Sequence, residues 1–195
     1  MIRFFDILGS VIPFIVLSPL FLLVYVLIRL ESKGGGFYTQ ERIGRYGKPF
    51  KLYKFRSMRI GADKGSQITV GDRDPRITRM GYFIRKYKID ELPQLWNVFI
   101  GDMSLVGPRP EVRKYVEMYT EEQRKVLSVR PGITDWASIK YMDENTILGQ
   151  AEDPDKAYVE QIMPDKIRYN MKWIENQNVI EYLRLVLLTF KKIAR

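Results

Sequence analysis

The chain contains no cysteine and no histidine. Without cysteine there is no disulfide, no thiolate nucleophile and no thiolate metal site. Without histidine the usual general base, the usual zinc ligand and every Ser-His or Cys-His pairing are excluded. Any catalysis must run on Asp, Glu, Lys, Arg, Tyr or a hard metal ion held by oxygens. Two phosphate-binding signatures are also missing. There is no Walker A loop and no G-x-G-x-x-G, so neither a P-loop nor a Rossmann nucleotide site is supported. Internal repeats and low-complexity tracts are absent too.

What is present points to a folded, membrane-associated, basic protein. A length of 195 residues suggests one domain, and 46% hydrophobic residues suffice for a core. Much of that apolar content lies in the first thirty residues. The net charge of +9 implies an anionic partner: nucleic acid, anionic lipid headgroups or a phosphate-bearing small molecule.

Val11 through Ile28 carry no charge. As a helix they would run about 27 Å, close to the roughly 30 Å of bilayer hydrocarbon. The pattern alone reads as a transmembrane helix. Ser18-Pro19 in the middle argues against a straight one, because proline removes a helix hydrogen bond and clashes with the preceding turn. Ser18 can bond back to a carbonyl and settle the freed backbone. Each half then reaches about halfway through the bilayer, which fits a helix that enters, bends and leaves on the same face. Arg3 lies on one flank, Arg29 and Lys33 on the other, so charge leaves both flanks free to be cytoplasmic.

Gly34-Gly35-Gly36 reads as a hinge between this anchor and the folded part. Phe37–Ile43 and Phe50–Arg56, joined by a turn through Gly44–Gly47, read as a β-hairpin with Lys51 and Arg56 toward its exposed side. Its basic face is either simply solvated or an anion-binding surface. Residues 61–79 read as a loop with local turns such as Asp74-Pro75. Thr78 to Tyr87 reads as a helix capped by Thr78. Asp90 opens the next helix, with Pro93 in its first turn and an end near Gly101. Asp102 to Pro110 is extended or turned, and Arg109 sits between two prolines in stiff backbone. Glu111 to Leu127 reads as a polar helix, and Arg130–Asp135 as a rigid turn carrying an arginine. Asp153 to Asn176 is helical, interrupted near Pro164. Val179 to Ala194 places Ile180, Leu183, Leu187, Phe190 and Ile193 on one helix face, suited to a core or to a membrane interface.

Asp90-Glu91 is the natural place to look for chemistry. Its bland reading is an acidic helix N-terminus. Its functional reading is attack on a phosphate. A carboxylate that attacks phosphate must overcome like-charge repulsion; a helix N-terminus, basic side chains and a divalent cation reduce that cost. Lys54, Arg56, Arg85, Arg109 and Arg130 are the candidate cations. Mg²⁺ is the candidate metal, since it takes few carboxylates plus phosphate oxygens. Nucleophile and general base or metal ligand are the roles open to the two acids.

The chain resembles the bacterial sugar transferases, the monotopic phosphoglycosyl transferases. The marks are Ser18-Pro19 within the apolar helix, Tyr53-Lys54-Phe55-Arg56-Ser57-Met58, Asp90-Glu91-Leu92-Pro93-Gln94-Leu95, Gly101-Asp102-Met103-Ser104 running into Gly107-Pro108-Arg109-Pro110, and Arg130-Pro131-Gly132-Ile133-Thr134. Any one is weak, but all five in this order are specific. The resemblance implies an α+β, mostly helical fold with a small β-hairpin and interfacial helices. It implies a re-entrant helix broken at Ser18-Pro19 in an anchor over 1–33, and a catalytic domain over 34–195 at the cytoplasmic face of the bacterial inner membrane.

The activity implied is transfer of a sugar-1-phosphate from a UDP-sugar to undecaprenyl phosphate, the first membrane step of glycoconjugate assembly. Asp90 would be the covalent nucleophile of a ping-pong mechanism. Glu91 would be its acid/base or metal-site assistant, and Mg²⁺ the cofactor, held at Asp90 and Glu91. Pro108, Arg109 and Pro110 would bind the nucleotide. The partners implied are the UDP-sugar, the polyprenyl phosphate and the bilayer, with no nucleic acid and with a homodimer left open. The resemblance departs at Asp135-Trp136-Ala137-Ser138-Ile139-Lys140, where many members read Gly and then Gln-Val-Asn-Gly-Arg. Larger members carry further transmembrane helices and a domain; the expectation here is the minimal catalytic unit. The rival from another class is a non-catalytic, membrane-anchored basic protein that binds nucleic acid or anionic lipid.

Overall fold

A computed structural model of the chain describes residues 1–62 and 74–193. Two helices open it: α1 (Ile2–Val16) and α2 (Ser18–Glu31). Pro19 lies in the first turn of α2, where its missing N–H costs nothing. Ser18 Oγ donates to the Ile15 carbonyl at 2.8 Å and so settles the break. No single helix among the described residues is long and apolar enough to cross a membrane, but α1 and α2 pass that test together and meet at a bend of 62°. The straight helix that the apolar pattern predicts over Val11–Ile28 therefore does not form, for the reason Ser18-Pro19 supplied. Pro13 lies inside α1 without ending it.

The hairpin follows as β1 (Phe37–Ile43) and β2 (Pro49–Phe55), antiparallel, with Phe37 opposite Phe55 and Ile43 opposite Pro49. It is not hinged freely from the anchor. Phe21 of α2 meets the Phe55 ring edge-on at 5.5 Å, and Phe21, Val24, Ile28, Phe55, Ile84 and Leu95 form one core. Gly36 packs on the Tyr25 ring. Arg56 is buried rather than exposed: its guanidinium donates to Ser32 O and Ser32 Oγ, both at 2.9 Å, and to the Lys33 carbonyl. A cation suits the partial negative charge at the end of α2. The triple glycine expected as a hinge is thus a packed turn.

Asp74-Pro75 does form a turn, closed by Ile77 N to Asp74 O at 3.1 Å; most of the expected loop, 63–73, lies outside the described residues. Helix α3 (Arg79–Lys86) has the expected cap, with Thr78 Oγ1 accepting from Gly81 N at 2.9 Å. A separate 3₁₀ turn, Ile89–Glu91, then precedes α4 (Gln94–Ile100). Asp90 therefore does not open the helix itself. Lys88 adopts the left-handed conformation (φ 54°) and separates α3 from this turn.

Two elements were not expected. Ser104–Val106 (β3) and Gly132–Thr134 (β4) pair in parallel. Gly107 and Gly132 permit this, because a Cβ on Gly132 would lie 2.1 Å from Gly107 N. Between these strands the polar helix expected over Glu111–Leu127 is broken into α5 (Arg113–Val116) and a 3₁₀ stretch, Gln123–Ser128. Thr120 and Gln123 cap one another there, Thr120 N to Gln123 Oε1 at 2.9 Å and Gln123 N to Thr120 Oγ1 at 3.2 Å, which starts a new turn.

Three short helices follow: α6 (Trp136–Lys140), α7 (Glu144–Gly149) and α8 (Pro154–Ala157). A π-turn over Tyr158–Ile162 then leads into α9 (Met163–Glu175), so the interruption near Pro164 is real. Tyr115, Tyr119, Leu148, Tyr158, Ile162 and Ile167 build a second core. The last helix, α10 (Val179–Ile193), buries Tyr182 and Leu185. Of the two settings open to the apolar row of this helix, the core is excluded, because the row faces outward with Leu187 and Phe190 68–69% exposed.

Candidate active site

The 3₁₀ turn after Lys88 sends its two carboxylates to different environments. Glu91 is held by cations from two other elements. Lys54 Nζ of β2 lies 2.9 Å from its Oε1. Arg109 Nη1 donates to Oε2 at 3.1 Å, while Arg109 Nη2 contacts Oε1. Burial alone would raise the Glu91 carboxyl, but the charges of Arg109 and Lys54 outweigh it and hold it well below the usual carboxylate range. Burial lowers Lys54, the Glu91 charge opposes that, and the neighbouring Arg109 charge adds to the lowering. Glu91 raises Arg109.

Asp90 is the opposite case. It is 94% buried, and its Oδ1 has no hydrogen-bond partner among the described residues. Burial raises its carboxyl first, the neighbouring Glu91 charge second; Lys54, Arg85 and Lys88 pull the other way. A desolvated carboxylate with a free oxygen, inside a basic surround, is equipped to attack a phosphorus or to accept a metal ion. One turn on, Gln94 Nε2 is also buried without a partner among the described residues.

The loop that carries Arg109 is held from several sides. Gly132 N donates to Pro108 O at 2.9 Å, and Arg42 Nη1 donates to Pro110 O at 3.0 Å. Arg109 N donates to Asp135 Oδ2 at 3.3 Å. Behind the loop is a cavity of about 20 Å³ beside Val116, Tyr119 and Val126. That is room for one water and for no ligand.

The fold thus brings Asp90, Glu91, Lys54, Arg109 and the charge of Arg85 into one place. It puts two other sequence candidates elsewhere. Arg56 binds the end of α2, and Arg130 Nε donates to Gly101 O at 3.0 Å, at the end of α4. Sequence reasoning missed Arg42, Gln94 and Asp135. For Asp135 the signal was available: it caps α6, as an Asp before a short helical run should. Arg42 looked like one more basic residue in a strand. Nothing in its pattern announced a bond to a residue 68 positions away.

Comparison with known proteins identifies the family. The family model described as bacterial sugar transferase matches residues 1–195. A UDP-N-acetylgalactosamine-undecaprenyl-phosphate N-acetylgalactosaminephosphotransferase of Aeromonas hydrophila is 39% identical over 98% of this chain and 43% of its own. An uncharacterized sugar transferase, EpsL, of Bacillus subtilis (strain 168) is 35% identical over 98% of this chain and 86% of its own. A UDP-glucose:undecaprenyl-phosphate glucose-1-phosphate transferase of Escherichia coli (strain K12) is 32% identical over 96% of this chain and 39% of its own. The chain therefore spans less than half the length of the Aeromonas and Escherichia relatives. With a full-length family match, and with relatives above 30% identity along almost all of it, this chain belongs to the bacterial sugar transferase family.

Proposed function

We propose that the protein transfers a sugar-1-phosphate from a UDP-sugar to undecaprenyl phosphate, releasing UMP, through a phosphosugar intermediate on Asp90. The observation that carries this reading is the contrast within the acidic pair. Glu91 is committed to Lys54 and Arg109, while the Asp90 carboxylate is buried with a free oxygen.

The first step forms a bond from an Asp90 oxygen to the β-phosphorus of the donor. The bond from that phosphorus to the bridging oxygen breaks, and the oxygen leaves with UMP. In the second step an oxygen of undecaprenyl phosphate attacks the same phosphorus. The Asp90–phosphorus bond breaks, the carboxylate is restored, and the lipid diphosphosugar departs. Arg109 and Lys54 stabilise charge on the phosphoryl oxygens as each bond forms. Glu91 keeps those two cations aimed.

Mg²⁺ supplies charge neutralisation at a diphosphate when bound. The residues fit it in part. Asp90 Oδ1 is an open acceptor, and Mg²⁺ needs only one or two protein carboxylates when phosphate and water fill the rest. Glu91 fits less well as a ligand, since both of its oxygens already face cations.

The chemistry brings a water-soluble donor to a lipid acceptor, so the site belongs at a membrane surface. The exposed apolar sides of α1 and α2, with Leu22, Leu23 and Leu30 outward, suit a re-entrant anchor bent at Ser18-Pro19. Trp96 and Phe99 on α4, both over 40% exposed, suit the headgroup level, as does the apolar flank of α10. On this reading the protein works at the cytoplasmic face of the inner membrane, in the first membrane step of glycoconjugate assembly.

The test is UMP release by the purified chain with Mg²⁺, undecaprenyl phosphate and a panel of UDP-sugars. Release that persists in Asp90→Asn, or none from any common UDP-sugar, would overturn the reading. Omitting the acceptor should still give about one UMP per enzyme, as a covalent intermediate requires.

A further inference from the structure

Asp6 is the least expected residue in the anchor. It lies in α1, in otherwise apolar surroundings, and is 1% exposed. Burying a carboxylate is costly unless it is well hydrogen-bonded. Here one oxygen does nearly all the work. Asp6 Oδ1 accepts from Ser104 Oγ at 2.7 Å, from Leu105 N at 2.9 Å and from Tyr182 OH at 2.8 Å. Arg3 stands 4.0 Å from the other oxygen. Two of the three donors belong to β3 and the third to α10.

The same contact face of α1 holds Gly9. A Cβ there would lie 2.6 Å from Leu105 Cδ1, so α1 and β3 are in close apposition. From β3 the chain leads straight to the site. Gly107 N donates to Thr134 O at 3.0 Å, Gly132 N donates to Pro108 O at 2.9 Å, and the next residue is Arg109, which grips Glu91. The far strand is fixed to the same terminal helix, by Thr134 Oγ1 and Thr189 Oγ1 at 2.6 Å.

We propose that Asp6 is a positioning residue for Arg109: the anchor helix, through the Asp6 carboxylate, fixes β3 and so sets where Arg109 stands against Glu91 and the donor's phosphates. Asp6 touches no reacting atom. It acts through β3, and its function rests on the transferase reading above. The anchor on this view holds the enzyme at the membrane and also forms part of the donor site's framework.

The experiment uses the full-length chain in detergent, with UDP-glucose and UDP-N-acetylgalactosamine as donors. Asp6→Leu removes the acceptor, while Asp6→Asn keeps an oxygen in place of Oδ1. Gly9→Ala presses on Leu105 without touching Asp6. Asp6→Leu should raise the donor KM about tenfold, the scale of losing hydrogen bonds to a charged group, and leave the acceptor KM unchanged. Asp6→Asn should recover most of that, and Gly9→Ala should shift the donor KM in the same direction by less. Amide hydrogen exchange should rise about tenfold at Leu105 to Arg109 in Asp6→Leu and stay unchanged in α9. Both KM values rising together, a fall in kcat alone, or exchange rising equally in α9 would make Asp6 merely structural and overturn the proposal. If Asp6→Leu does not fold, Gly9→Ala decides by the same two readouts. If the wild-type chain turns over neither donor, the exchange comparison alone decides whether Asp6 holds the Arg109 segment.

Discussion

Arg109 grips Glu91 with two nitrogens across 18 residues of sequence. One partner comes from a 3₁₀ turn after α3, the other from a loop stiffened by Pro108 and Pro110. The pair neutralises one acid of the site, while its neighbour Asp90 keeps one oxygen, Oδ1, without a hydrogen-bond partner among the described residues.

Removing the free carboxylate should stop the chemistry and help the fold. Asp90→Asn should cut UMP release by at least about 10³-fold, as loss of a nucleophile does. It should also raise the melting temperature at neutral pH, because a buried charge with one oxygen left without a hydrogen bond is removed. Intact mass after incubation with donor should show a phosphosugar adduct on the wild-type chain and none on the variant.

The pH dependence follows from the two opposite shifts. Asp90 has a raised folded value, so its ionised form is scarcer than usual and activity should fall as pH drops through that raised value. The same shift means that Asp90 favours the folded state at low pH and that this contribution is lost as pH rises through its folded value. Glu91 is depressed, so its contribution is present above its ordinary value and lost as pH falls through its low folded value. A profile of initial rate against pH should therefore show its acid limb above the ordinary value of an aspartate. In Asp90→Asn the rise of melting temperature should be larger at pH 8 than at pH 4.

Arg109→Lys should show that the fork matters as well as the charge. A lysine cannot span both Glu91 oxygens. The donor KM should rise about tenfold, while stability falls by no more than about 1 kcal/mol, since the pair is partly solvated. An unchanged donor KM would remove Arg109 from the nucleotide side of the site.

Pro19→Ala should restore a backbone donor at the break and favour a straighter helix. Because the chain has no cysteine, a single cysteine added at the N-terminus can be labelled cleanly. In the wild-type sequence that label should be reached from the cytoplasmic side. In Pro19→Ala a fraction should be reached only from outside.

Leu187→Glu should weaken membrane attachment without unfolding the chain, because Leu187 is 69% exposed on α10. Flotation with vesicles containing anionic lipid should fall several-fold at unchanged melting temperature. Equal flotation would mean that α10 does not lie on the bilayer.

Much of the local structure was legible from residues because it has local causes. Ser18-Pro19 broke the apolar helix, Thr78 capped α3, the alternation in Phe50–Arg56 made a strand, and Pro164 marked an interruption in the helical stretch that follows α8. Asp90-Glu91 stood out because the absence of histidine and cysteine left few other groups for chemistry. The same local rules misjudged Glu111–Leu127, where a Thr120–Gln123 cap pair interrupts an otherwise helical composition.

What only the tertiary structure decided has a common physical cause: each case depends on a partner far along the chain. Composition could list Lys54, Arg56, Arg85, Arg109 and Arg130 as equal cations. Folding sent Arg109 and Lys54 to Glu91, and Arg56 and Arg130 to helix-end carbonyls. Ion pairing then divided two adjacent buried acids, one neutralised and one left open, a distinction that no pattern in the sequence expresses. Asp6 is the extreme example. In the sequence it is a lone charge beside an apolar run, and it becomes a hub only when β3 and Tyr182, which is 176 residues away, close around it.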